Sequence, residues 1–248
     1  MTREDMDPVT LTRRPAQGGV FRVAGKVKAQ RGVAQRGRRW IWALGLALAL
    51  LTPVVPARAG GWHNIDIAGS APRLAFRMTD AATGHTVTAA DFRGKIVLLY
   101  LGYTHCPDVC PLTLHNIAVI LHRLGPEAAR VRVLFVSVDP DRDTLPILRD
   151  YAALFGPQFV ALRPDANALA RLARRYRLAY SVTPETTTHP YEVTHSAAVF
   201  VFDPNGEARL LVPSLAQAHP DLAATTEDLE RLLHAPQIGW LSRLRRFF

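Results

Sequence analysis

A mixed α/β domain, its central sheet flanked by helices, is the fold class this chain predicts, on three observations. Two continuous apolar runs, Ile96 to Leu101 and Val131 to Val138, read as strands buried on both faces. Each is followed by apolar residues at helical spacing: Leu114, Ile117, Ala118, Leu121 and Leu124 after the first, Leu145, Leu148, Tyr151 and Leu154 after the second. Late in the chain, Val193 to Phe202 and Ala208 to Val212 read as two strands around Asp203-Pro204-Asn205-Gly206, a strong hairpin turn.

The remaining elements fall into place around these. Residues 60–73 are an opening segment with Gly and Pro and little periodicity. Leu74 to Met78 and His85 to Val87 form a short hairpin around Ala82-Thr83-Gly84, and Asp91 to Lys95 is a turn. Gly125-Pro126 ends the first helix; Asp143 is placed to cap the second, which stops at Gly156-Pro157. A strand at Phe159 to Leu162, a helix from about Asn167 to Arg177 and a last helix from Thr225 to Leu233 complete the set. The order hairpin–β–α–β–α–β–α–β–β–α, with a Cys pair at the first strand-to-helix junction, is that of a thioredoxin-like domain with an N-terminal hairpin and a C-terminal β-hairpin plus helix. Residues 60–235 are long enough for one such domain with its own core.

The formal charge of +9 on 248 residues is unevenly placed. Residues 1–59 carry 11 Lys and Arg against 3 Asp and Glu, so nearly all of the excess lies there. The body is close to neutral, which excludes a basic groove for nucleic acid. Arg36, Arg38 and Arg39 precede the 16-residue run Trp40 to Val55, and Ala57-Arg58-Ala59 follows. Basic, apolar and small-residue segments in that order make a secretory signal peptide cleaved after Ala59, or, if retained, an N-terminal membrane anchor over residues 40–55. Either places the body in an extracytoplasmic or periplasmic, oxidising space. Residues 236–248 are a basic amphipathic tail, in which Arg243, Arg245 and Arg246 alternate with Trp240, Leu241, Leu244, Phe247 and Phe248. Such a tail touches a membrane surface or docks weakly on the body.

The chain has only two cysteines, Cys106 and Cys110, and they stand four residues apart at the start of a helix. That spacing puts both sulfurs on one side of the first turn, and a helix N-terminus favours thiolate over thiol. The pair can chelate a soft metal or close a disulfide. Redox dithiols of thioredoxins have two intervening residues rather than three, which favours a metal, and a metal needs a further ligand. Of nine histidines, His115 and His122 lie too far along the helix and His105 points away from its neighbour. His63, His219 and His234 have no reason to converge on the pair, while His85 and His189 are loop residues that spacing does not exclude. His195 has the better position, because it immediately precedes an apolar strand, where thioredoxin-like domains set a cis-proline opposite the Cys pair.

Three segments carry a family resemblance: Y-T-H-C-P-D-V-C-P at Tyr103 to Pro111, D-P-D-R-D-T at Asp139 to Thr144, and Y-E-V-T-H-S at Tyr191 to Ser196. In order and separation they resemble the signatures of SCO/SenC proteins, over roughly Leu74 to Leu233. The resemblance implies Cu(I) or Cu(II) bound by Cys106, Cys110 and His195, with Asp139 as an acidic neighbour that tunes the site or touches a partner. It implies copper delivery to the dinuclear site of cytochrome c oxidase, with the oxidase subunit that carries this site as partner and an upstream copper donor behind it. Some members act instead, or also, as thiol–disulfide reductases for that site. Many carry an acidic residue just before the ligand His; this chain has Thr194.

Two other chemistries compete with copper at this Cys pair. A peroxiredoxin-like peroxidase wants a lone Cys activated by Arg, and no Arg lies between Lys95 and Arg123. A structural zinc site needs a closed fourth ligand that the sequence does not supply.

Overall fold

The computed structural model describes residues 61–235 apart from Ser214 and Ala218, so the signal peptide, anchor and tail expected at 1–59 and 236–248 lie outside the described residues. Among the described residues no helix is long and apolar enough to cross a membrane.

Strands β1 (Ile65–Asp66), β2 (Arg77–Asp80) and β3 (Thr86–Thr88) come first, followed by β4 (Ile96–Gly102) and helix α1 (Val109–Arg123). Then come β5 (Val131–Ser137), α2 (Leu145–Ala153), β6 (Phe159–Arg163), α3 (Ala166–Tyr176), β7 (Tyr180–Thr183) and β8 (Glu192–His195). Finally β9 (Val199–Phe202), β10 (Ala208–Val212) and α4 (Leu222–His234) close the domain. Eight strands form one mixed sheet in the order β1-β10-β9-β4-β5-β6-β2-β3, and β7 with β8 forms a separate two-stranded sheet. Strands β4, β5 and β6 run parallel, whereas β9 lies antiparallel to β4 and β2 antiparallel to β6.

Every residue of β4 is buried, because alternate side chains enter two different cores. Ile96, Leu98 and Tyr100 pack with α1, α2 and α4, through residues such as Ile117, Leu148 and Leu229. Val97, Leu99 and Leu101 face the other way, against Leu169, Leu172 and Tyr176 of α3. The parallel register pairs Gly102 with Ser137, so β4 and β5 end level and their following loops share one edge of the sheet. The segment just before β1 is tied to α4 by Asp228, whose buried carboxylate accepts from His63 N–H at 3.1 Å and Asn64 N–H at 2.8 Å.

Besides β1 and β7, strands in stretches where none is expected, the structure departs from expectation in three places. The N-terminal hairpin forms, but its first strand is Arg77–Asp80 rather than Leu74 to Met78, and it lies on the edge of the main sheet beside β6. Val193 to Phe202 is not one strand. The chain leaves β8 at Ser196, where its N–H bonds to Ala179 O at 2.9 Å, and only from Val199 does it join the main sheet. Asp143 does not cap α2. Thr144 holds the N-cap position, and the Asp143 carboxylate is turned into the core.

Candidate metal centre

The Cys pair sits where β4 runs out. Gly102 ends the strand, Tyr103 to Asp108 form a loop, and α1 begins at Val109, so Cys110 lies in its first turn. Cys110 is fully buried and Cys106 nearly so; both are free thiols. Tyr100 O–H points to Cys110 Sγ at 3.8 Å. The approach to Gly102 is closer still: a Cβ there would lie 2.8 Å from Cys110 Sγ and 2.6 Å from Phe135 Cε2, so only glycine fits.

His195 arrives from the separate sheet, as the last residue of β8 opposite Tyr180. Its Nε2 lies 3.2 Å from Cys110 Sγ, and its Nδ1 lies 3.2 Å from the Ser196 carbonyl. A carbonyl only accepts, so Nδ1 carries the proton and the Nε2 lone pair faces the sulfurs. The rings of Tyr100 and Tyr103 each meet the imidazole nearly at right angles, with centroids 5.9 Å from it. One donor atom from each of Cys106, Cys110 and His195 lies within 4.8 Å of the other two. Among the described residues no other His, Cys, Asp or Glu joins them.

The electrostatics reverse one expectation. Burial pushes the Cys110 thiol up to about 12, against the opposing bonds from Tyr103 and Tyr100. Desolvation therefore outweighs the helix N-terminus, and without metal Cys110 is a thiol at neutral pH. Burial also holds His195 below its ordinary value, with the Ser196 carbonyl opposing, so its imidazole is neutral. A neutral imidazole and a thiol that loses its proton on binding suit a soft metal.

Asp139 does not reach this cluster. Its buried carboxylate accepts from Arg142 Nε at 2.5 Å and from Tyr191 O–H at 2.7 Å. His105 turns Nδ1 to Thr104 Oγ1 at 3.1 Å, and His85, His115, His122 and His189 are exposed outside the cluster. His63 pairs with Glu227 at 3.1 Å and His234 with Glu127 at 3.1 Å. Residue types and spacing did not single out Tyr100, Gly102 and Tyr103 around the sulfurs, or Arg142 and Tyr191 around Asp139. The only signal for Tyr103 and Tyr191 was their place at the head of the two ligand motifs.

Residues 68–233 match the sequence model of SCO1/SenC, a span that takes in Cys106, Cys110, Asp139 and His195. The chain belongs to the SCO1/SenC family. It is 39% identical over 125 residues to the mitochondrial Protein SCO2 homolog of Bos taurus, covering 50% of this chain and 47% of that one. It therefore spans about half the length of the mitochondrial SCO relatives it matches. The SCO2-like protein RP587 of Rickettsia prowazekii is 30% identical over 171 residues, covering 67% of this chain and 80% of that protein. Among solved structures, copper-bound ScoI of Bradyrhizobium japonicum superimposes with a TM-score of 0.57 and 33% identity, over 65% of this chain and 99% of that one. The SCO1/SenC likeness thus extends from sequence to the thioredoxin-like sheet and its flanking helices.

Proposed function

We propose that this protein is a copper metallochaperone, holding Cu(I) or Cu(II) through Cys106 Sγ, Cys110 Sγ and His195 Nε2 and delivering it to the dinuclear copper site of cytochrome c oxidase. The observation that carries the reading is the convergence of two sulfurs and one imidazole nitrogen within 4.8 Å on a family scaffold. Thiolates suit Cu(I) and the imidazole retains Cu(II). Copper bound to a ScoI of the same family supports that choice of metal. Three donors leave an open edge through which an acceptor's ligand can attack, which suits cargo better than storage. The partners in this reading are the oxidase subunit carrying the copper site and an upstream copper donor. The location is extracytoplasmic, reached by a signal peptide or anchor in residues 1–59.

The alternative, a thiol–disulfide oxidoreductase that reduces the acceptor's cysteines, uses the same Cys pair without His195. His195 Nε2 standing 3.2 Å from Cys110 Sγ, a contact the reductase does not need, favours the copper reading. Anaerobic titration of the reduced protein with Cu(I), and separately with Cu(II), tests both. One equivalent bound, with a sulfur-to-copper charge-transfer band for Cu(II) and loss in Cys106→Ser, Cys110→Ser and His195→Ala, is the expected result. No tight binding, together with a readily cycled Cys106–Cys110 disulfide, supports the reductase. Parent-like binding in His195→Ala overturns the ligand assignment.

A further inference from the structure

Two buried carboxylates that copper binding does not use stand between the Cys loop and the His hairpin. Asp139 and Asp143 follow β5 and are 1% and 0% exposed. Asp143 holds Thr104, two residues before Cys106, accepting its N–H at 3.2 Å and its Oγ1–H at 2.5 Å. Asp139 holds Tyr191, four residues before His195, accepting its O–H at 2.7 Å. Ser137 joins the two, since its Oγ–H donates to Asp143 at 2.6 Å and its oxygen accepts Asp139 N–H at 3.1 Å. An unbroken chain of hydrogen bonds therefore runs from the loop bearing one set of ligands to the hairpin bearing the other, with no metal in it.

The His195 hairpin needs such a tie. A lone two-stranded sheet is marginal in water, and β7–β8 shares no ladder with the main sheet. Tyr180 and Val193 supply apolar packing against the core. The polar tie is Tyr191, fixed from two directions: Asp139 takes its hydroxyl, and Arg142 lies over its ring with the guanidinium carbon 3.6 Å from the centroid. Arg142 also bonds Asp139 at 2.5 Å, which neutralises the buried carboxylate.

We propose that Tyr191, Asp139 and Arg142 form a latch that positions His195 over the Cys pair before copper arrives. Its copper consequence rests on the ligand assignment above; its effect on the hairpin does not. A donor already in place loses less freedom on binding, so the latch acts through preorganisation. An Asp139 that served only to close its own turn would be indifferent to the Tyr191 hydroxyl, 52 residues away.

Tyr191→Phe removes that hydroxyl and keeps the ring under Arg142; Arg142→Gln removes the cover. In the full chain without metal, backbone hydrogen exchange in Glu192–His195 rises about tenfold in Tyr191→Phe, while β4 and β9 exchange as in the parent. Cu(II) still binds at one equivalent, about tenfold more weakly, the order expected for a lost hydrogen bond to a carboxylate, and the sulfur-to-copper band shifts. Arg142→Gln moves both readouts the same way. Parent-like exchange in the hairpin, or faster exchange spread evenly over β4 and β9, overturns the latch. If the parent binds no copper, or His195→Ala binds as tightly as the parent, the ligand reading fails. The metal-free exchange data still decide whether the latch holds the hairpin.

Discussion

Adding one methyl group at Gly102 probes the closest packing in the metal centre. The new Cβ meets Phe135 Cε2 at 2.6 Å, Cys110 Sγ at 2.8 Å and Phe135 Cζ at 3.2 Å. Both neighbours are fully buried, so neither swings into solvent to make room. Overpacking of this kind costs ~1–3 kcal/mol. For a domain of this size each kcal/mol moves Tm by ~2–4 °C, so Gly102→Ala should lower it by ~2–12 °C. The sign is the sharper test, because Gly→Ala in a strand with free space stabilises by ~0.4–1 kcal/mol through the unfolded chain. Gly61→Ala, where nothing lies within 4 Å, is the control and should leave Tm unchanged or slightly raised. Thermal unfolding by circular dichroism reads stability, and copper titration reads the second effect, since a displaced Cys110 Sγ weakens binding. A Tm and copper affinity equal to the parent's would show that the β4 terminus and the sulfur do not approach as described.

Three further outcomes follow from burial and backbone geometry. The metal-free protein should lose stability at both ends of the pH range. His195, held below its ordinary value, gives up its contribution as pH falls below ~6.5, whereas Cys110, raised to about 12, gives up its own as pH rises from ~8.5 toward that value. Urea unfolding across pH reads both limbs, and Cys110→Ser should flatten only the alkaline one. Asp143→Ala strands the N–H of Thr104 and the hydroxyl of Ser137, and leaves the Thr104 hydroxyl only His105 Nδ1. It should cost about 3 kcal/mol, seen as a lower urea midpoint with unchanged slope. Arg177 closes α3 in the left-handed region at φ 54° and is exposed, so Arg177→Gly should stabilise by ~0.5–1 kcal/mol in the same assay.

The sequence carried the central strands because β4 and β5 are buried on both faces, and only a continuous apolar run satisfies that. It carried the Cys pair through spacing and His195 through its place before a strand. It did not carry the independence of the β7–β8 sheet. Ser196, Ala197 and Ala198 interrupt the ladder without any turn signal strong enough to break the run from Val193 to Phe202. Nor did it separate two uses of Asp143, since a helix cap and an acceptor for Thr104 require the same residue. The choice depends on a loop-to-loop contact 39 positions away. The raised Cys110 thiol escaped for a similar reason: the helix N-terminus is local and readable, while desolvation comes from Tyr100 and the packed elements around it.

That desolvation bears on access to the metal centre. Cys110 is sealed against Tyr100 and the end of β4. Cys106 retains 8% exposure, and His195 stands half-buried on a sheet of its own. An incoming ligand therefore meets His195 and Cys106 before Cys110. Because burial favours the Cys110 thiol, taking copper up expels a proton from that sulfur, and giving copper up takes one back. The same burial that disfavours a free thiolate thus lowers the cost of parting with the metal. On the proposed reading, the two halves divide the work: the buried Cys110 sulfur sets the proton balance of transfer, and the latched hairpin presents His195 to it.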